Sequence, residues 1–191
     1  MKLNFWTIDM ALGATIFKAE LQISDMDRHY YHTHALTIAQ HPSETTERLM
    51  IRVLAFALHA HERLSFGRGL SAQDEPDLSR QDLTGAIELW IDVGQPEEAR
   101  LRKACGRAAE VVVITYSARH SETWWERNST ALSRLRNLSV INIPAANSLA
   151  LAALASRTMQ LQCLIQDGEV QMMLGDRCVS ITVSTLKNIS A

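Results

Sequence analysis

Several groups of side chains along the 191 residues have types and spacings that could do chemistry. His29, His32 and His34 lie in RHYYHTH. Two histidines two apart on a strand share a face and can bind a transition metal. No third ligand is near in sequence, so structural histidines are the favoured reading. His59 and His61 fall on different sides of a helix and do not share a metal easily. Trp90, Trp124, Trp125 and Tyr116 could stack on nucleic-acid bases, although large aromatics more often fill cores. Strand alternation places Trp90 beside Asp92. Carboxylates gather at Glu44 and Glu47 in HPSETTER, at Pro76-Asp77 and at Asp92. Mg²⁺ is a hard cation that prefers oxygen ligands, commonly one or two carboxylates with water and substrate phosphate. Each acid also has an ordinary role: Glu44 and Glu47 suit a helix start, Pro-Asp suits a turn, and Asp92 could face water.

The elements that must position these residues follow from periodicity. ATIFKAELQIS (14–24) alternates as a strand, a turn follows at Ser24 to Asp27, and residues 28–40 pair back as an N-terminal hairpin. Pro42 is expected to open a helix running to about Leu64, with LMIRVLAFALHA apolar on nearly every face except at Arg52. AIELWIDVG (86–94) is a strand with Ile87, Leu89, Ile91 and Val93 on one face and Glu88, Trp90, Asp92 and Gly94 on the other. Pro96 is expected to open a helix to about Arg107, and VVVITY (111–116) is a strand buried on both faces. Strand, helix and strand at this spacing predict a right-handed parallel crossover. A helix carrying Trp124 and Trp125, the strand LSVINI, an Ala/Leu-rich helix and three strands of a C-terminal antiparallel meander complete the chain. The class is α/β, with helices flanking a core sheet, and nothing divides it into two domains.

The wording of four segments is more specific than their periodicity. HPSETTERLMIRVLAFAL, LSFGRGLSAQDEPDL, GAIELWIDVGQPEEARLRKAC and AAEVVVITYS resemble YaeQ proteins from Met10 onward, a compact relative of the PD-(D/E)XK nuclease fold. Residues 10–191 are read as one such domain, and residues 1–9 as an extension that should be dispensable. The resemblance implies that Glu47 on the first helix, Asp77 and Asp92 converge on Mg²⁺ and serve catalysis, with Glu44 in an outer shell. Glu44, Arg48 and, by its place beside Asp92, Trp90 are read as binding residues of the same cleft.

One departure bears on activity. The family motif wants lysine two residues after the strand acid, and this chain has Gly94 there. A cation at that position orients water or stabilises developing charge. Lys103 is the nearest lysine, but Leu101, Ala104, Cys105 and Ala108 define the buried stripe and put Lys103 nearly opposite. Arg100, nearer the strand end, is the better substitute. The resemblance leaves three readings: a Mg²⁺-dependent phosphodiesterase or nuclease of weak activity, a relative without catalysis that binds nucleic acid or a protein, and a protein whose cleft holds another ligand.

Composition sets limits on these readings. The net charge of −2 and pI near 6.4 deny the molecule a basic field as a whole, so phosphate binding must be local. Cys105, Cys163 and Cys178 are widely spaced and fit reduced structural cysteines. No signal peptide or membrane span is evident, and a cytoplasmic monomer that does not engage membranes is expected.

Overall fold

The computed structural model describes residues 13–67 and 74–189. Expectations for residues 1–9, and for part of the LSFGRGLSAQDEPDL segment, fall outside the described residues.

Helix α1 (Thr46–Leu58) buries every residue from Leu49 to Ala57. Such an all-round apolar helix needs cover on more than one side. Two sheets supply it: α1 shares one core with Leu21 and Ile38 of the first sheet and with Ile91 and Ile114 of the second. The helix is shorter at both ends than the expected 42–64. Thr45 is its N-cap, with its hydroxyl accepting from the Arg48 amide at 3.1 Å, so the capping side chain sets the start instead of Pro42. Beyond the C-cap at His59 the chain turns, and Leu64 joins a strand.

The first sheet joins the two ends of the chain. The hairpin β1 (Thr15–Asp25) and β2 (Tyr30–Gln40) pairs antiparallel from Thr15 opposite Gln40 to Asp25 opposite Tyr30. Phe17, Ala19, Leu21 and Ile23 face the core. Strand β1 also pairs in parallel with β8 (Thr158–Gln166), which continues into β9 (Glu169–Leu174) and β10 (Arg177–Ile181). The hairpin and the meander are therefore one five-stranded sheet of order β10-β9-β8-β1-β2.

The second sheet carries the candidate site. It comprises β3 (Leu64–Phe66), β4 (Leu78–Gln81), β5 (Ile87–Val93), β6 (Ala108–Tyr116), β7 (Leu138–Ile143) and β11 (Ser184–Lys187), in the order β11-β7-β6-β5-β4-β3. Strands β5, β6 and β7 are parallel, connected by α2 (Glu98–Cys105) and α3 (Ala118–Leu132). Helix α2 begins after Glu97, two residues later than a start at Pro96 would give. Helix α4 (Ala145–Ala152) packs on α1. The short strands β3, β4 and β11 have no counterpart among the expected elements.

The faces of β5 fix which side chains can meet. Leu89, Ile91 and Val93 enter the core with α1, whereas Trp90 packs with Leu101 and Ala104 of α2 and with Val111 and Val113. Helices α1 and α2 thus cover opposite faces of this sheet. Ile87 departs from the expected face and packs with the α2 cluster. The register slips at Gln81, opposite Ile87, and one residue of slip reverses which way a side chain points.

Candidate functional site

Asp77 is held before its partner arrives. Its amide donates to the Ile91 carbonyl at 2.9 Å, its carbonyl accepts from the Gly67 amide at 2.8 Å, and its Oδ2 accepts from the Val93 amide at 2.7 Å. Gly67 permits this approach, since a Cβ there would come within 2.0 Å of the Pro76 carbonyl oxygen. Arg48 then reaches down from α1. Its Nη2 donates to Oδ1 and Oδ2 of Asp77, each at 2.7 Å, and to the Val93 carbonyl at 3.3 Å. Its Nη1 donates to Glu44 Oε1 at 2.9 Å.

Glu44 is the hinge of this network. Its buried carboxylate accepts from Arg48, from Arg52 Nη1 at 3.1 Å and from the His41 amide at 3.3 Å. Arg52 is the one charged residue in the buried run Leu49–Ala57, and its Nη1 also donates to the Ala39 carbonyl at 3.1 Å. Residues 44, 48 and 52 follow the four-residue helical spacing, so one face of α1 and its approach carry the whole row. Burial pulls the Arg48 pKa down, but the charge of Asp77, its hydrogen bond and Glu44 outweigh that, and the net direction is up.

Asp92 is engaged from the other face of the sheet. Arg100 on α2 closes a two-pronged fork on it, with Nε to Oδ2 at 2.8 Å and Nη2 to Oδ1 at 2.7 Å. Arg100 Nη2 also donates to the Glu75 carbonyl at 2.7 Å. The hydrogen bond that Arg100 donates to Asp92 raises the Arg100 pKa against burial. Such bidentate pairs are short and charge-assisted, and arginine stays protonated throughout the working pH range.

The remaining residues singled out from the sequence occupy separate places. Glu47 Oε1 accepts from the buried Ser148 hydroxyl of α4 at 2.5 Å. Lys103 is exposed and pairs with Asp74 at 2.6 Å. Trp90 is 2% exposed beneath Arg100 and Arg107, whose guanidinium carbons lie 5.9 and 5.2 Å from its ring centre, so no base has access to stack on it. Gly94 lies one residue beyond β5 at φ +108°, off the strand alternation that was expected to align it with Asp92. His32 and His34 bring their rings to 4.6 Å, and Tyr30 Oη lies 2.8 Å from His34 Nε2. Burial raises the thiol pKa of Cys105 to about 11 and of Cys163 to about 12, which keeps both protonated.

The acids do not fit a resident Mg²⁺ as they stand. Both oxygens of Asp77 and both of Asp92 already accept from arginine, the two carboxylates are served from opposite faces, and Glu47 turns to Ser148. Among the described residues no three His, Cys, Asp or Glu side chains are grouped to hold a metal. The sequence pointed to Arg48 as a binding residue but not to its pairing with Asp77 and Glu44. Its signal was present in the charged Glu44, Arg48 and Arg52 row beside an otherwise apolar helix, since buried charges are paired.

Among the described residues, fold and site together define a mixed α/β protein of two mixed sheets and four helices, with arginine-neutralised carboxylates at one end of the six-stranded sheet. The family model for YaeQ protein matches residues 10–183, and the chain belongs to that family. It is 47% identical over 162 residues to "Uncharacterized protein YaeQ" of Escherichia coli K12, covering 84% of this chain and 89% of that one. The counterpart in Salmonella typhi is 46% identical over the same shares. The crystal structure of YaeQ protein from Xanthomonas axonopodis pv. citri superposes with a TM-score of 0.88 at 56% identity, covering 91% of this chain and 98% of that one. The YaeQ structure from Pseudomonas syringae gives 0.86 at 32% identity, covering 92% and 97%. No helix among the described residues is long and apolar enough to cross a membrane.

Proposed function

We propose that this chain is a binding protein built on a PD-(D/E)XK-like core, in which the acids hold the fold in place of a metal and the ligand is a nucleic-acid backbone. The observation that carries the reading is the closed fork of Arg100 on Asp92. A carboxylate whose two oxygens are taken by a permanent cation is a poor metal ligand, and Gly94 offers no side chain to orient an attacking water. The order of acid-bearing helix, Pro-Asp, acid-bearing strand and parallel crossover supports the nuclease-like ancestry without requiring its activity.

The ligand class rests on charge. Arg119, Arg127, Arg134 and Arg136, on α3 and the turn after it, are exposed and form no ion pair among the described residues. On α2, by contrast, Arg100, Arg102 and Lys103 are each paired. Exposed arginines without an ion pair among the described residues, on α3 and the turn after it, would offer a local phosphate-binding surface in a chain of net charge −2. The test is fluorescence anisotropy with labelled DNA and RNA at two salt concentrations, in Mg²⁺ and in EDTA. Binding that is weakened by salt, unchanged by EDTA and reduced in Arg119→Ala/Arg127→Ala supports the reading. An absence of binding to any oligonucleotide removes the nucleic-acid part.

A further inference from the structure

Along α3, Arg119, His120, Thr123, Trp124, Arg127 and Asn128 line an open groove of about 380 Å³, within the roughly 300–1,000 Å³ of small-ligand sites. Their spacing puts them on one side of the helix, with an arginine at position 119, another two turns on at 127, and an indole between them. The indole is set before any ligand arrives. Its Nε1 donates to the Pro96 carbonyl at 2.9 Å, and Asn128 Nδ2 donates to the Trp124 carbonyl at 2.7 Å. The ring is half-buried: it packs on the core cluster that contains Leu101 and Val113, with the Trp125 ring centre 6.4 Å away, and its remaining surface borders the groove.

Arg119 and Arg127 are exposed, and the two acids of the helix, Glu122 and Glu126, do not line the groove. About 12 Å of helix rise separates the two arginines, and their side chains are long enough to converge on the phosphates that flank one nucleotide. Guanidinium groups with an aromatic ring between them are the parts of a single-strand site, where the charges follow the backbone and the ring stacks on a base. A duplex presents the same phosphates but keeps its base faces stacked on one another, out of reach of a ring. We propose, resting on the nucleic-acid reading above, that this groove takes one unpaired base of a single-stranded nucleic acid against Trp124, with Arg119 and Arg127 on the flanking phosphates. The chain therefore selects single strands over duplexes. Because every base has a π-face, the selection is for an unpaired base and not for a sequence.

The experiment measures fluorescence anisotropy at one fixed salt concentration with labelled probes of about 12 nucleotides, within the roughly 4–16 of single-strand sites. The probes are oligo(dT), oligo(U), the duplex of oligo(dT) with oligo(dA), and an abasic DNA strand that carries the phosphates without bases. Oligo(dT) and oligo(U) are expected to bind the natural chain alike, and about tenfold more tightly than the duplex or the abasic strand. Trp124→Leu, which keeps an apolar side chain but no ring, is expected to bring the single strands down to the abasic level. Trp124→Phe, which keeps a ring without the Pro96 hydrogen bond, is expected to retain most of the preference. Melting curves check that each variant is folded, and the comparison of probes on the natural chain needs no variant. Equal affinity for all four probes, or a preference for single strands that survives Trp124→Leu, overturns the inference and leaves the charge-based reading of the function standing. Binding of none of the probes removes both together.

Discussion

Asp77 and Asp92, one residue before β4 and one residue from the end of β5, are bound by arginines that reach them from opposite faces of the sheet. Both carboxylates are buried, and each keeps its own cation. Removing one member of a buried pair typically costs about 3–5 kcal/mol because it strands the other charge. The Asp92 partner is partly solvated, with 27% of the Arg100 side chain exposed, which reduces that cost. A double-mutant cycle of Asp92→Asn and Arg100→Ala by urea unfolding is expected to give a coupling of about 1–2 kcal/mol. Lys103→Ala, which removes a pair with the exposed Asp74, is expected to leave the Tm unchanged.

Gly94 yields a prediction of opposite sign to the one its sequence position invites. Nothing among the described residues lies within 4 Å of an added Cβ there, so their packing does not forbid a side chain. Its φ of +108° does disfavour one, since L residues rarely adopt that conformation. Gly94→Ala and Gly94→Lys are both expected to lose about 1–3 kcal/mol in urea unfolding. Gly94→Lys is expected to gain no nuclease activity, because its side chain starts from a residue outside β5 and Arg100 still covers Asp92.

Much of the fold is legible in the sequence where periodicity is local. The alternation in β1, the apolar length of α1 and the strand-helix-strand unit from Ile87 to Tyr116 all correspond to observed elements. The parallel pairing of β1 with β8 is not legible. It joins residues 140 positions apart, such as Lys18 and Thr158, and no local pattern records a partner that distant. Strands β3, β4 and β11 are 3 to 4 residues long, too short for a period-2 signal. At the site, sequence reasoning named Arg48 and Asp77 separately but not their contact, which closes over 29 residues. The helix stripe through Leu101 and Ala104 separated Arg100 from Lys103, and those two arrive at different acids, Asp92 and Asp74.

His59 gives the chain an expected acid sensitivity. Burial lowers its pKa to about 4, with Arg28 and Arg80 adding to the effect. The unfolded chain, with the ordinary value of 6.5, therefore binds more protons between about pH 4 and 6.5 than the native one does. Stability must fall as pH drops through that window, by up to roughly 3 kcal/mol, and less where water reaches the half-buried ring. His59→Gln is expected to flatten the stability profile there. An unchanged slope would assign the acid sensitivity to other groups.

Ser148→Ala tests whether Glu47 is fixed by α4. It removes a buried donor at 2.5 Å and is expected to cost about 1–3 kcal/mol while leaving the Arg48 and Arg100 pairs intact. The check is urea unfolding together with a double-mutant cycle against Glu47→Gln.

The most direct test of the account is one gel assay on the natural chain. Labelled DNA and RNA are incubated with excess protein in Mg²⁺, Mn²⁺, Ca²⁺ and EDTA, alongside Asp92→Ala, and native and denaturing gels are run from the same samples. A retarded complex is expected in every condition on the native gel, with intact strands on the denaturing one. Metal-dependent shortening of the strands that disappears in Asp92→Ala would contradict it.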